Sequence, residues 1–358
     1  MATTRTIEAA PLPTRHARGW HSLGLAANYR DGKPHAISAF STRLVVFMGE
    51  EDSQLHIIDA YCPHMGADLN LGTVHGNSIR CIFHNWSWGG DGICNDIPYA
   101  KRIPPAARIK SWPTQEENKL LFVWNDPEHS IPTREVAMPR IPACFSDDWN
   151  DWVFEQWTVN SNCREVIDNV SDIPHFAPVH GIPIGFYGNL FEDHKATQIM
   201  VGERPSREGG LTTCATYFGP ACQITDMRAG LGDTKIDAIL LNCVLPITHE
   251  SFVLSLGMLS RKIPGLTEEQ NKEMAKTFIG LTQIGFKQDM NIWANKVRID
   301  NPLLVEGDGP IYRLRDWYQQ FYVDQAKVPA SMTERFELRY NPGKVEPVPA
   351  LHHVLEDW

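Results

Sequence analysis

The chain has 358 residues, 42% of them hydrophobic and 10% aromatic, with a formal charge of −10. That length suits one large domain or two ordinary ones, with enough apolar content for a sizeable core. The acidic balance argues against nucleic acid or an anionic membrane as the main partner, since both need basic patches.

No apolar run approaches the ~18 residues of a membrane-spanning helix. The stretch "MATTRTIEAAPLPTRHARGW" has no apolar h-region, so a cytoplasmic protein is expected. The eight cysteines are then expected to be reduced or metal-bound. Short β-rich runs follow in order: Thr42–Met48, Leu55–Ala60, Ser78–Phe83 and Lys119–Trp124. Gly, Asn, Asp and Pro turns separate them, which suits a small antiparallel sandwich. A polar, Pro-containing stretch from about Asp126 to Pro142 reads as a boundary, dividing the chain into 1–130 and 131–358. Beyond it, "NSNCREVIDNVSDIPHF" predicts a helix from about Cys163. Strands are expected between Met200 and Ser260, where Cys214, Cys222 and Cys243 read as core. A long helix should open at Thr267, with Gln270 completing a capping box, and run to about Arg298. Its expected buried face is Met274, Phe278, Leu281, Ile284 and Phe286. A last aromatic helix is expected over Ile311–Asp324.

Two mixed pairs stand out within the first region, Cys62-x-His64 and Cys81-x-x-His84, with sixteen residues between them. Zinc fingers usually pair Cys with Cys and His with His. Here each pair holds one of each, which suits a [2Fe–2S] cluster with two thiolates on one iron and two imidazoles on the other. This is the Rieske pattern. Cys62 and Cys81 are assigned to one iron, His64 and His84 to the second. Two neutral imidazoles remove negative charge and raise the potential to roughly −150 to +300 mV, against about −400 mV for an all-cysteine plant-type cluster. Gly66, Gly72, Gly76 and the "GGDG" at 89–92 would let the loops turn tightly. Cys94 does not fit the spacing and reads as structural, and His75 reads as an ordinary polar loop residue.

A second cluster follows in "DNVSDIPHFAPVHG". On a helix, Asp172 and His175 share a face. His180 does not, but Pro178 can break the helix and bring both imidazoles to one ion. Asp172 could then hold a histidine ring N–H. Two histidines and a carboxylate on one side of Fe(II) leave open positions for O2. The carboxylate must come from elsewhere. Asp289 lies among apolar residues of the long helix, where an unpaired carboxylate is costly. Asp300 is the alternative.

With these motifs in place, the chain resembles the oxygenase components of Rieske non-haem iron oxygenases. It is most similar to the 3-ketosteroid 9α-hydroxylases of steroid breakdown. The resemblance rests on "FHNWSWGGDG", "NCREVIDNVSDIPHF", "ATYFGP", "KIPGLTEEQ", "QDMNIW", "RIDNPLL" and "DGPIYRLRDWYQQFYVD". It implies an α+β chain: an all-β Rieske domain, then a helix-grip catalytic domain in which an antiparallel sheet wraps around helices. It implies Fe(II) held by His175, His180 and Asp289, with Asn169 beside the iron. It further implies a homotrimer in which Asp172 bridges His84 of one subunit to His175 of the next. Electrons would come from NADH through a separate flavin and iron–sulfur reductase, and the lack of a G-x-G-x-x-G fingerprint agrees. The implied reaction is hydroxylation of a steroid by O2. The alternative is another steroid position, or dihydroxylation or demethylation of a different hydrophobic substrate. Pro174, Ala177, Pro178, Gly181 and Pro183 are smaller than the family's usual residues around the first histidine, and a reshaped pocket is expected there.

Overall fold

The computed structural model describes residues 5–203, 210–231 and 234–345. The chain divides into two compact units. One comprises Arg18–Arg140 with Leu245–Thr248; the other comprises Met1–Ala17, Ile141–Val244 and His249–Trp358.

The smaller unit is built from ten strands. Strands β1 (Gly19–Leu25), β10 (Leu120–Asn125) and β9 (Thr114–Glu117) form one antiparallel sheet in that order. A second comprises β2 (His35–Ala39), β3 (Thr42–Met48) and β4 (Leu55–Asp59). The third comprises β5 (Thr73–His75), β6 (Ser78–Arg80), β7 (Ser87–Gly89) and β8 (Cys94–Asp96). Val45, Phe47, Ile58, Ile79 and Trp88 pack its core, together with Cys62, Cys81 and Cys94. Burying both motif cysteines in this core sets the loops that carry them.

The larger unit is organised by one antiparallel sheet of eight strands, in the order β11-β17-β16-β15-β14-β13-β12-β18. These are β11 (Val153–Val159), β12 (Ile184–Glu192), β13 (Lys195–Gly202), β14 (Leu211–Phe218), β15 (Cys222–Leu231), β16 (Thr234–Pro246), β17 (Phe252–Ser260) and β18 (Phe336–Tyr340). The helices are α1 (Arg164–Ile167), α2 (Phe176–His180), α3 (Glu268–Asn295) and α4 (Ile311–Gln319). This is the antiparallel sheet with helices that the resemblance implies. Cys214, Cys222 and Cys243 are buried in its strands, as expected.

Helix α3 begins where its capping box predicts, with Thr267 and Gln270 bonding each other's backbone N–H. Its buried face differs from the expectation. Phe278 is buried, but Leu281 is 53% and Ile284 57% exposed. Periodicity marks the apolar face of a helix without saying whether it meets core or an open cavity. The helix expected from Cys163 is also short: α1 passes into a 3-10 turn at Asp168–Val170, and regular structure then stops until α2. Among the described residues, no helix is long and apolar enough to cross a membrane.

Candidate metal centres and substrate cavity

The two cysteine–histidine loops have the same backbone design. The Cys62 N–H donates to the Ala67 carbonyl at 2.9 Å, and the Gly66 N–H returns to the Cys62 carbonyl at 2.8 Å. In the second loop, Cys81 N–H donates to Trp86 at 2.8 Å and Asn85 N–H returns to Cys81 at 2.9 Å. In both, the fourth residue after the cysteine takes a left-handed conformation, with φ of 78° at Gly66 and 59° at Asn85. Glycine and asparagine are the residues that tolerate it. Gly72 has a separate reason: a Cβ there would lie 2.3 Å from the Arg80 carbonyl oxygen.

These loops bring the four side chains together. The His64 and His84 rings are 4.5 Å apart between centroids. Cys62 and Cys81 are both 1% exposed. Burial pushes the Cys62 thiol up, and the neighbouring Cys81 adds to this. Two buried cysteines side by side suit a cation that stabilises thiolates. Among the described residues, His84 Nδ1 is buried without a hydrogen-bond partner. Two thiols, two imidazoles and this orphaned ring nitrogen fit a [2Fe–2S] cluster. His64 stacks on Trp86 at 4.6 Å, and the Trp86 indole donates to the Tyr99 hydroxyl at 2.8 Å. Cys94 lies apart, its thiol donating to the Asp96 carbonyl. His75 is exposed, its Nε2 3.0 Å from the Thr73 hydroxyl.

In the larger unit, the ligand atoms of His175, His180 and Asp289 lie within 4.8 Å of one another. Asp300 is not in this group. The break that brings the histidines together falls earlier than expected. Residues 171–175 carry no helix, so Asp172 and His175 do not share a helical face. Pro178 sits inside α2, in its first turn, where the missing N–H costs nothing. Gly181 ends the helix in the left-handed conformation, with φ of 68°.

Each ligand has a polar partner. His175 Nδ1 lies 2.6 Å from the Asp172 carbonyl oxygen, while the Asp172 carboxylate is farther away, at 3.7 Å. The tautomer is therefore fixed by the backbone of Asp172. His180 Nε2 is 3.4 Å from Asp289 Oδ1, which raises the imidazole's pKa despite partial burial. Asp289 is 8% exposed. Its Oδ2 accepts from Asn169 Nδ2 at 3.1 Å, and the Trp293 indole N–H donates to Asn169 Oδ1 at 3.4 Å. The indole thus orients the amide so that its NH2 faces the carboxylate. Two imidazoles and a buried carboxylate that meets no lysine or arginine among the described residues fit a divalent iron.

The segment leading to His175 is anchored from the sheet. The Tyr187 hydroxyl and the Asn189 amide both donate to the Val170 carbonyl, at 2.6 and 2.7 Å. The Gln198 amide donates to the Asn169 carbonyl at 3.1 Å and to the Tyr187 hydroxyl at 2.6 Å. Sequence reasoning found none of Trp293, Tyr187, Asn189 or Gln198. Each is polar or amphipathic and lies on an otherwise apolar strand or helix face, which is the one available signal.

A cavity of about 410 Å³ is lined by His175, His180, Asp289 and Asn169. Alternate residues of four strands face it: Gln198 and Met200, Thr213 and Ala215, Thr225 and Met227, Leu240 and Asn242. Leu281, Ile284 and Phe286 of α3 form another wall, which explains why Leu281 and Ile284 are apolar yet exposed. The cross-strand pair Gln223 and Asn242 places two amides in this wall, with Asn242 Nδ2 3.4 Å from Gln223 Oε1. Asn242 Oδ1 is buried without a partner. Pro174, Ala177, Pro178, Gly181 and Pro183 do not line the cavity, whereas Phe176 and Ile182 do. The small residues therefore lie in and around α2 and its turn, and any effect on the cavity passes through Phe176, Ile182 and the two histidines.

A cysteine–histidine cluster site on a small β domain, and a two-histidine, one-carboxylate site under an antiparallel sheet, define a Rieske non-haem iron oxygenase. The comparisons agree with that class. Residues 19–113 match the Rieske [2Fe-2S] domain, and residues 123–322 match the 3-ketosteroid 9alpha-hydroxylase C-terminal domain. The chain is 46% identical to a 3-ketosteroid-9-alpha-monooxygenase oxygenase component of Rhodococcus rhodochrous, over 96% of this chain and 92% of the relative. A protein of the same description from Mycobacterium tuberculosis (strain ATCC 25618 / H37Rv) is also 46% identical, over 93% of this chain and 89% of its own. The solved structure of NdmB from Pseudomonas putida CBB5 superposes with a TM-score of 0.71 at 15% identity, covering 92% of this chain and all (100%) of that one. The chain belongs to the 3-ketosteroid 9α-hydroxylase oxygenase family.

Proposed function

We propose that this chain is the terminal oxygenase component of a two-component monooxygenase that hydroxylates a 3-ketosteroid at C9, on the α face. The observation that carries this reading is the 410 Å³ cavity with His175, His180 and Asp289 in its wall. Its size falls within the roughly 300–1,000 Å³ typical of small-molecule sites. Apolar side chains such as Val166, Met200, Met227, Leu240 and Ile284 supply much of its lining, with amides and hydroxyls between them, which suits a fused hydrocarbon skeleton carrying a ketone. The amides of Gln223 and Asn242 are the candidates to hold that oxygen. Their mutual contact leaves N–H capacity that a buried amide needs to satisfy.

When bound, the Rieske cluster supplies single electrons, and Fe(II) on one face of three protein ligands leaves positions for O2. His175 and His180 would hold the iron as neutral imidazoles. Asp289 would be its carboxylate ligand, kept in place by Asn169. Asp172 fixes the His175 tautomer through its carbonyl. Cys62, His64, Cys81 and His84 would hold the cluster. The apolar walls would seat the hydrocarbon skeleton and present one carbon to the metal.

Electrons would come from NADH through a separate flavin and iron–sulfur reductase, in the cytoplasm. The family resemblance suggests a homotrimer in which the Asp172 carboxylate links His175 to the cluster of the next subunit. Two features support a protein partner at these surfaces. Tyr61, Met65, Ile82 and Phe83, on the cluster loops, are 54–65% exposed. Asp172 has a side chain 42% exposed beside His175. Sedimentation equilibrium tests the trimer, and a monomer mass removes the inter-subunit path.

The reaction is tested by incubating iron-loaded protein with NADH, a compatible reductase, a panel of 3-ketosteroids and oxygen-18 gas. One labelled oxygen at C9 is the expected product. No steroid product, with the cluster shown to be reduced and the iron site loaded, overturns the reading in favour of a different hydrophobic substrate.

A further inference from the structure

Helix α3 carries two interior glycines, Gly280 and Gly285. Each costs about 0.8–1 kcal/mol relative to alanine. A Cβ at Gly280 would meet nothing within 4 Å, and nothing in the structure explains that position. Gly285 is different. A Cβ there would lie 3.4 Å from His180 Nδ1 and 3.7 Å from Cε1. A methyl would just touch the imidazole, and a larger side chain has no room unless the ring moves.

Two more residues of the same helix meet the same ring. Gln288 Oε1 is 3.3 Å from His180 Nδ1, and Asp289 Oδ1 is 3.4 Å from Nε2. Positions 285, 288 and 289 stand in i, i+3, i+4 relation and share one helical face. That face seats the imidazole from beneath and at both nitrogens.

We propose that Gln288 is a positioning residue for the iron site: its side-chain oxygen accepts the His180 Nδ1–H and so directs the Nε2 lone pair to the metal. The inference rests on reading His175, His180 and Asp289 as iron ligands. The opposite amide orientation would donate to Nδ1, place the proton on Nε2 and block the metal. His175 is held in the same way by the Asp172 carbonyl. One imidazole is therefore fixed by a backbone oxygen and the other by a side chain, so only His180 can be tuned by substitution. A neutral amide fixes the tautomer while leaving the imidazole a neutral ligand.

The test is metal affinity of the full chain with its Rieske cluster in place. Fe(II) binding is measured by competition with a coloured chelator, and Zn(II) serves as a redox-inert second probe. Gln288→Met keeps the length and removes the acceptor; it should weaken both metals 10–100-fold. Gln288→Glu restores the acceptor and should bind at least as tightly as the parent. Unchanged visible absorbance of the cluster reports that the variants fold. The proposal is overturned if Gln288→Met binds both metals like the parent, or if Gln288→Glu is as weak as Gln288→Met. His180→Ala separates the two levels of the reading. If it keeps tight Fe(II) binding, the iron site itself is misassigned. If it loses the metal while Gln288→Met does not, only the role of Gln288 falls.

Discussion

Asp168 is the side chain whose loss should be felt most widely. It immediately precedes Asn169, and it is 6% exposed. Arg315 grips it with a fork, Nε to Oδ1 at 3.2 Å and Nη2 to Oδ2 at 2.7 Å. Arg298 Nη1 adds a third contact at 3.2 Å. Burial alone would raise the carboxyl's pKa, but Arg298 and Arg315 outweigh it and hold it below the ordinary value of 3.8. The Arg298 and Arg315 side chains are only 10% and 17% exposed. Asp168→Asn keeps the shape and leaves two guanidinium groups facing a neutral amide. Removing one partner of a buried pair costs about 3–5 kcal/mol. The amide oxygen still accepts one bond, so the lower end, about 3 kcal/mol, is expected. For a unit of this size that is a fall of roughly 6–12 °C in Tm. The sign with pH follows from the depressed pKa. The carboxylate's contribution is fully present above the unfolded value and is lost as pH falls through the folded one. The gap between parent and variant should therefore be constant above about pH 5 and close at lower pH. Thermal unfolding of both proteins across that range is the assay. A variant within about 1 kcal/mol of the parent at neutral pH, or a gap that does not close in acid, would refute the reasoning.

Asp226 should behave in the opposite sense. It is a buried carboxyl whose Oδ2 has no hydrogen-bond partner, and burial pushes its pKa from 3.8 to about 7. The folded state keeps a proton that the unfolded state has lost, so stability should fall as pH rises between those values. The shift corresponds to a ceiling of ~4 kcal/mol, and residual hydration reduces it to about 2. Asp226→Asn should be more stable than the parent at pH 8 and show a flatter pH profile; parallel profiles would count against it. Gly309 combines φ of 88° with a would-be Cβ 1.9 Å from the Ser171 carbonyl oxygen. Gly309→Ala must move the backbone that leads to His175, so a loss of at least about 3 kcal/mol and weaker iron retention are expected. Metal analysis after gel filtration checks this, and full iron content with an unchanged Tm would contradict it. Replacing His84 by cysteine restores negative charge to the cluster, and its potential should drop by a few hundred mV, toward about −400 mV. A redox titration of the assembled variant reads the shift directly, and an unchanged potential would mean that His84 is not a ligand.

What the sequence disclosed follows from locality. The cysteine–histidine loops could be read because each is a few residues long and built on its own turn, including Gly66 in the first, whereas Asn85 at the matching place in the second gave no signal. The long helix was legible at its start for the same reason, since Thr267 and Gln270 bond each other. Asp289 stood out as a carboxylate on an apolar face. The remainder depends on distance along the chain. The Gln288–His180 contact spans 108 residues and the Trp293–Asn169 contact 124. No periodicity encodes either. Leu281 and Ile284 misled in a different way, because an apolar helix face that lines a cavity has the same spacing as one that fills a core. The break before His175 was misplaced at Pro178 because proline in a first helical turn is permitted. The true interruption comes at residues 171–175, where the helix stops although the Ser171 and Asp172 N–H groups still bond to the Asp168 carbonyl.

That interruption explains why so many polar residues are buried around the iron site. Where a helical turn stops, its last carbonyls have no intrahelical donors and must be satisfied by side chains. Here Tyr187, Asn189 and Gln198 serve the carbonyls of Asn169 and Val170, while Asp168 is tied to Arg298 and Arg315. Gly309 lets the chain pass directly against the Ser171 carbonyl. The segment from Asp168 to His175 is thus held from the sheet and from the residues that follow α3. The α3 wall is held differently. Leu281 and Ile284 meet the cavity and solvent, and neither has a polar partner to fix it. The two sides should then respond differently to substitution. Changes among Asp168, Tyr187, Asn189 and Gln198 should alter metal retention, because they move a ligand. Changes at Leu281 and Ile284 should alter KM for substrate with iron content intact, because they move only the wall. Loss of iron in Leu281→Ala would mean that α3 is held by this apolar rim, rather than by the buried contacts of Phe278, Asp289 and Trp293.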